Sequence, residues 1–482
     1  MRILQIGAGP TGVSLFIRLC SQLETQYSVV EYVIADGRKP GLGLAFGTDY
    51  NSHLINLPAS VMSINPDNPL EFVEWRAKNQ SFWQEVFPDE ERAWSEFPSR
   101  RLFGLYVGHQ LQSALSGASF AELVNVSVSC VTPIQSVGKF SVEFSNGTKE
   151  IFDKVIICIG HAPRFPLLPN ASPNFFCSPY QAMDIPAHAT VGVIGSRLTA
   201  IDAALALQEK GHAGRIVMVS RTGKLPKVIA KHSGYDPSTF ITTLLNEKNQ
   251  TLESILAHHK KELNRVTNGL VDWDALAEPG ATQIEELERE ISICSQGNHL
   301  WQSVLLASYS IMDKLWARLS FAEKTEFMTK YYGPWMTYLA AFPAFSAVRI
   351  LRLMQCEQLK IYSDLQGIEA TEQGFDIYHG QNECVDVQYL IDGRGVGYGE
   401  KDLKEVPLLK NMLANGSITP HPLGGVAINP LTYQALSNRY SEIPGLFIVG
   451  DLTKGEFLAT TDVVRNVMHS VAASSAILSR DR

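Results

Sequence analysis

The chain has 482 residues, 45% of them apolar and 19% charged, with a formal net charge of −8 at pH 7. That length exceeds a single compact core and implies two or three lobes, while the acidic balance and the lack of Lys/Arg runs exclude an ordinary nucleic-acid surface. The seven cysteines (20, 130, 158, 177, 294, 356, 384) include no C-x-x-C pair, which excludes a zinc framework or a paired redox disulfide.

In chain order, an apolar strand (Ile3, Leu4, Ile6) runs into Gly7-Ala8-Gly9-Pro10-Thr11-Gly12, and a helical pattern follows from Val13 to about Leu23. This is the G-x-G-x-x-G arrangement: Gly7 for the tight turn, Gly9 for backbone approach to a pyrophosphate, Gly12 for close helix–strand packing. A second strand, Val29 to Ala35, ends in Asp36-Gly37, where a carboxylate would hold a ribose diol. A late strand from Val155 closes on Gly160. The pattern then repeats. A strand at Thr190–Ile194 precedes Gly195-Ser196-Arg197-Leu198-Thr199-Ala200, a helix at Ile201–Lys210, and a strand at Arg215–Val219 that ends at Ser220-Arg221. Its late strand is Tyr389 to Gly395.

Between the second repeat's strands lies a polar, helix-patterned insertion, 236–353. Ile284, Leu287 and Ile291 recur at helical spacing, as do Trp301, Val304, Leu305, Ser308, Ile311, Met312 and Leu315. These stripes are either the core faces of a helical subdomain or, on one side, a lid over a substrate. The C-terminal Gly445–Gly450-Asp451 is a further buried strand, with a helix from Val463 onward. The pattern predicts an α/β chain of two nested Rossmann-like dinucleotide-binding domains with a helical insertion. No apolar run has bilayer length and the first strand begins at once, so neither a membrane span nor a cleavable leader is expected, and the expected location is cytoplasmic.

Several further segments make the likeness specific: Gly41-Leu-Gly-Leu-Ala-Phe-Gly47, His53-Leu-Ile-Asn-Leu-Pro58, Met62-Ser63, Pro98-Ser-Arg-Arg-Leu-Phe-Gly104 and Ile159-Gly160-His161. With them the chain resembles the FAD/NAD(P)-binding oxidoreductases of the two-dinucleotide-domain type. Within these it is similar to a bacterial branch distantly related to ornithine and lysine N-hydroxylases and flavin-containing monooxygenases. The resemblance implies an FAD-binding domain formed by 1–186 and 397–482, an NAD(P)-binding-like domain at 187–235 and 354–396, and a substrate lid at 236–353. It also implies that residues 7–12 cradle the FAD pyrophosphate and that Asp36 holds the adenosine ribose. Asn56 to Ser63, Met62 included, would pass the isoalloxazine, and Arg100 would support the phosphates or the flavin. Gly160 would end the strand where the chain leaves the FAD lobe, and Asp451, after Gly450, would take a ribityl or phosphate-side hydroxyl. Thr461 and Val463 would bring a helix N-terminus to the flavin's pyrimidine edge, where its dipole favours negative charge.

Two departures stand against the resemblance. Arg197 occupies the middle glycine of the second fingerprint, where a side chain crowds the pyrophosphate; it either swings out to pair with a phosphate or blocks the site. Ser220-Arg221, with Lys224 and Lys227 nearby, is placed where a 2′-phosphate would be read and favours NADPH over NADH; Gly195, Ser196, Arg197, Thr199 and Arg221 are the expected coenzyme-binding residues of this repeat. Second, a basic Trp-x-x-x-Arg-His-Arg-like segment of the related proteins reads Trp335-Met-Thr-Tyr338-Leu-Ala-Ala-Phe342-Pro343 here.

The reading that follows is an NADPH-using, single-component FAD monooxygenase that oxygenates a small metabolite, either at a nucleophilic nitrogen (N-hydroxylation) or at another soft atom. The alternatives are an FAD oxidase or dehydrogenase with a degenerate nicotinamide site, and a non-catalytic flavin-binding scaffold or sensor. No catalytic dyad or metal site is evident. Tyr331, Tyr332, Trp335 and Tyr338 line the substrate side or form core, and His421 either approaches the flavin or serves its loop. Substrate identity and oligomeric state are not legible.

Overall fold

The computed structural model describes residues 1–26, 30–168, 172–230, 234–270, 283–296 and 300–479; Val29, the expected start of the second strand, lies outside them. The chain divides into two units, Met1–Phe165 with Val396–Arg482, and Pro166–Gly395. The expected first boundary at 186 therefore moves to 165. The reason is that Phe175–Phe176 pairs in parallel with Leu390–Ile391 and so belongs to the second unit's sheet.

In the first unit six strands lie in the order Gln434–Leu436, Glu442–Ile448, Lys154–Ile157, Arg2–Ile6, Glu31–Ala35, Ala121–Val124. All neighbours are parallel except the first pair. Ile3, Leu4, Ile34, Val155 and Ile156 are fully buried, as a parallel sheet covered on both faces requires, and this explains the continuous apolar runs in the sequence. The helices Pro10–Gln26 and Val463–Leu478 pack against each other. A three-stranded antiparallel sheet, Val128–Ile134, Lys139–Phe144 and Lys149–Phe152, completes the unit's strands among the described residues.

One polar residue sits inside this core. Gln5, buried in the first strand, donates through Nε2 to the carbonyls of Gly7 (2.9 Å) and Gly12 (3.2 Å), and its Oε1 accepts from the Tyr32 hydroxyl at 2.7 Å. The glycine turn is thus braced from beneath by an amide whose own groups are satisfied, the condition under which a buried polar side chain is tolerated.

The second unit has a five-stranded parallel sheet in the order Leu359–Tyr362, Ile216–Val219, Val191–Ile194, Tyr389–Asp392, Phe175–Phe176. A three-stranded antiparallel sheet, Leu365–Ala370, Phe375–His379 and Glu383–Val387, accompanies it. The described residues of the insertion are mainly helical, as its periodicity predicts. The stripe from Trp301 to Leu315 is not one helix, however: a 3-10 turn at Ser308–Ile311 separates Leu300–Ala307 from Met312–Arg318. Val304, Ile311, Met312 and Leu315 on that stripe are buried. A π-helical turn, Phe327–Tyr331, leads into the helix Tyr332–Leu339.

Candidate functional site

The site in the first unit begins with the turn after the first strand. Gly7 has φ +106°, and a Cβ on it would stand 2.5 Å from the Cys158 carbonyl oxygen. Only glycine satisfies both demands. Gly12 has the same tightness for a different reason, since a Cβ there would lie 2.4 Å from the Gly7 carbonyl oxygen. Gly9 is unlike either: its Cβ would meet nothing closer than Gly43 at 3.6 Å. No internal packing demands a glycine at that position, yet Gly9 lines a cavity of about 400 Å³. A side chain at Gly9 would stand in the space a ligand backbone needs.

That cavity is lined by Gly7, Gly9, Pro10, Thr11, Asp36, Gly37, Gly160, Asp451, Thr461 and Val463 of the expected residues. Ala8 contributes its backbone N–H, which donates to Asp36 Oδ2 at 2.8 Å, while Asp36 Oδ1 accepts from the Arg38 N–H at 2.8 Å. The second strand's acid is therefore aimed at the glycine turn. Gly450 stands beside Thr11, with its Cβ position 3.0 Å from the threonine methyl. Asp36 and Asp451 follow strands that are three positions apart in the sheet, a separation of about 14 Å at the usual strand spacing. Two carboxylates thus stand at opposite ends of a row of strand C-termini, the crevice where open α/β sheets bind ligands.

Asp451, 4% exposed, accepts from the Thr460 hydroxyl (2.7 Å) and the Tyr398 hydroxyl (3.0 Å) on Oδ1. Its Oδ2 has no hydrogen-bond partner; His161 Nδ1 lies 3.3 Å away but outside hydrogen-bonding geometry. Asn466, 6% exposed and also in the lining, shows the same pattern. Its Nδ2 donates to the Thr460 carbonyl at 2.7 Å, fixing the amide's orientation, and its Oδ1 has no partner. Two buried acceptors at one cavity wall without donors cost stability. A ligand offering hydroxyl or N–H donors would satisfy both, as the ribityl chain and ring of a flavin do, whereas a phosphate would not. The residues present fit the flavin end of FAD.

The final helix departs from expectation. Asp462 caps it, accepting from the N–H groups of Val464 (2.7 Å) and Arg465 (3.3 Å). The dipole expected to favour negative charge near Thr461 and Val463 therefore already carries a carboxylate. Asn56, Met62, Ser63 and Arg100 do not line the cavity. Met62 is buried in the core, and Ser63 closes a turn by donating to the carbonyls of Asn65 and Asn68. Arg100 stitches its helix to the preceding segment, its N–H bonding the His53 carbonyl and its Nε the Leu54 carbonyl. His421 serves its loop: Nδ1 accepts from the Leu423 N–H at 3.0 Å, and Nε2 lies 3.4 Å from Glu456 Oε1.

Lys454, three residues beyond Asp451 and 3% exposed, gives no signal in the sequence. Its ammonium donates to the Leu458 carbonyl and lies 5.7 Å from the Tyr398 ring centroid. Burial lowers its pKa to about 8, partly opposed by the Asp451 charge. Between pH 8 and the ordinary lysine range the unfolded chain holds a proton that the folded chain has released, so this group's contribution to stability rises with pH across that window. At about 1.4 kcal/mol per pKa unit the penalty below pH 8 is on the order of 3 kcal/mol. Chemical denaturation of the wild type and Lys454→Met at pH 7.5 and 10 tests this. The wild type should gain relative to the variant at the higher pH; equal shifts would refute a buried ammonium.

In the second unit Gly195 repeats the geometry of Gly7, with φ +122° and a Cβ position 2.5 Å from the Gly393 carbonyl oxygen. Ser196 Oγ donates to the Lys224 carbonyl (2.8 Å) and pairs with Ser220 Oγ (2.9 Å). Thr199 lies in the first turn of the helix Leu198–Glu209, and Arg221 is exposed. Arg197, the residue that caps this helix, has an extended backbone (φ −99°, ψ −167°) that any residue can adopt. Its Nη2 donates to the Gly333 carbonyl at 2.9 Å and meets Thr337 Oγ1 at 3.4 Å. The arginine is held by the insertion. Of the aromatic quartet, Tyr338 is buried edge-on against Trp301 (5.1 Å), so it is core. Trp335 packs on Phe327 and Tyr332, half-buried.

Residues 5–162 match the FAD-NAD(P)-binding family. No curated protein matches the chain. Among solved structures it is similar to L-lysine 6-monooxygenase from Pseudomonas syringae (TM-score 0.58, 14% identity, 98% of each chain covered). It is also similar to ornithine N-hydroxylase from Kutzneria sp. 744, a structure with FADred, NADP+ and L-orn (0.57, 12%, 98% of each). A third is the bacillithiol disulfide reductase of Staphylococcus aureus (0.53, 13%, covering 100% of this chain and 99% of that one). At these identities the likeness is one of fold, and it spans both units.

Proposed function

We propose that this protein is an FAD-dependent oxidoreductase, an NADPH-using single-component monooxygenase that oxygenates, and N-hydroxylates, a small metabolite in the cytoplasm. The observation that carries the flavin part is one cavity lined by the glycine turn and Asp36 at one end and by Asp451 and Asn466 at the other, the latter two each holding a buried oxygen without a hydrogen-bond partner. Gly7, Gly9 and Gly12 would admit the pyrophosphate to the helix N-terminus, Asp36 would take the adenosine ribose, and Asp451 with Asn466 would take the flavin side. FAD supplies the electron transfer and oxygen activation; the chain supplies orientation and exclusion of water. Support for oxygenation at nitrogen comes from a fold neighbour named as an ornithine N-hydroxylase, beside another named as an L-lysine 6-monooxygenase. The helices 236–353 would then shape the substrate side. No helix among the described residues is long and apolar enough to cross a membrane.

A second reading, an FAD oxidase or dehydrogenase reduced by its own substrate, draws on Arg197, whose side chain stands in a fingerprint that otherwise admits a nicotinamide dinucleotide. One experiment separates the two. The flavin-loaded protein is mixed anaerobically with NADPH, then with NADH, and flavin absorbance is followed. Fast bleaching by NADPH is the expected result; no reduction by either nucleotide selects the oxidase.

A further inference from the structure

Arg197 bears a charge that the structure leaves without a counter-ion. Its hydrogen bonds go to two neutral oxygens, Gly333 O and Thr337 Oγ1, and no carboxylate of the described residues lies within ion-pair distance. Desolvation lowers its pKa, opposed by Tyr332 and aided by the neighbouring Arg221 charge, yet the side chain remains exposed, so an anion arriving from solvent can reach the guanidinium. The acceptor side is equally particular. Gly333 lies in the first turn of the helix Tyr332–Leu339, directly after the π-helical turn, and its carbonyl also takes the Thr337 hydroxyl at 3.2 Å. π-turns interrupt helices at a cost and recur at functional sites. The other end of this helix is fastened to the loop that follows Arg221: the Lys227 N–H donates to the Thr337 carbonyl, the Phe342 N–H donates to the Lys227 carbonyl, and the Ile229 N–H donates to the Phe342 carbonyl. The helix is therefore gripped at its C-terminal half by backbone and at its start by one arginine from the fingerprint.

We propose that Arg197 is a latch that couples coenzyme occupancy to this helix. In the coenzyme-free chain it ties the fingerprint to Gly333 and Thr337, and the diphosphate of a nicotinamide dinucleotide takes the guanidinium and frees the start of the helix. A guanidinium bound to diphosphate oxygens makes charge-assisted, bidentate bonds stronger than those to a neutral carbonyl, which sets the direction of the exchange. The freed segment carries Trp335 and Tyr332, so the region expected to shape the substrate side would be rearranged only when the reductant has arrived. The inference rests on the nicotinamide part of the proposed function and not on its flavin part.

Amide hydrogen exchange across 333–339 tests it in the full-length, FAD-loaded protein, with NADP+ as the probe and calorimetry to establish saturation. Saturating NADP+ should speed exchange in this segment about 10-fold in the wild type. In Arg197→Met, with FAD content confirming an intact fold, exchange should be fast already and unchanged by NADP+. Arg197→Lys keeps the charge but not the fork, and should fall between the two. NADP+ that binds the wild type and leaves 333–339 unaltered overturns the latch while leaving the proposed function standing. Failure of NADP+ to bind the wild type overturns the latch and the nicotinamide part together, with FAD binding untouched.

Discussion

Asp451→Asn is expected to weaken FAD binding by about 10- to 100-fold, the range for one hydrogen bond to a charged group. The substitution keeps the size of the side chain and one carbonyl oxygen, so the Tyr398 and Thr460 hydroxyls retain an acceptor. What changes is Oδ2, the oxygen that has no donor in the chain itself. An amide nitrogen placed there offers a donor where a hydroxyl of the ligand would need an acceptor. Titration of flavin-free protein with FAD, read by quenching of flavin fluorescence, gives the dissociation constant directly. An unchanged constant would mean that Asp451 faces no part of the ligand, and the flavin end of the cavity would have to be sought elsewhere.

Gly7→Ala is expected to cost more in the protein than in the ligand. The backbone conformation at φ +106° disfavours any side chain by roughly 1–3 kcal/mol. The Cβ would also press on the Cys158 carbonyl oxygen at 2.5 Å, and forced overpacking adds about 1–3 kcal/mol. Because the turn is pinned below by Gln5 and beside by the Cys158 thiol, which donates to the Gly7 carbonyl at 3.2 Å, there is little slack for relaxation. Thermal unfolding of the flavin-free variant should fall by on the order of 10 °C, with FAD retention lost alongside. Gly9→Ala is the contrast, since its Cβ meets only ordinary contact with Gly43: stability should hold while FAD binding falls. If the two variants behave alike, the distinction between a turn glycine and a cradle glycine fails.

That contrast shows what the sequence carries and what it leaves out. The strand, glycine turn, helix and trailing acid are encoded locally, by apolar runs and residues with special backbone freedom, and they are legible without a structure. Both parallel sheets follow from such signals, as does the return of the chain's end to the first unit. Asn466 and Lys454 are not legible, because an Asn inside a helix and a Lys in a loop look like solvated residues until tertiary packing buries them. Met62, Ser63 and Arg100, which the resemblance places along the flavin, also serve a core, a turn and a helix start, uses that the resemblance does not announce. Asp462 stands in a recognisable capping position before Val463, and its consequence is electrostatic: the helix end it occupies is no longer simply positive. Arg197 is legible as an anomaly and illegible as a contact, since Gly333 lies 136 residues away.

The first unit's discontinuity has a consequence for how the protein is made. The strand Glu442–Ile448, Asp451 and the final helix are translated some 400 residues after the strand that ends at Asp36, yet Asp451, Val463 and Asn466 line the same cavity as Gly7 and Asp36. At about 5–20 residues per second of synthesis, the glycine turn and the strand ending in Asp36 wait tens of seconds for their partners. The second unit, continuous from Pro166 to Gly395, is already complete by then. The cavity's lining is in this way assembled only once synthesis has passed Asn466, long after the glycine turn has emerged.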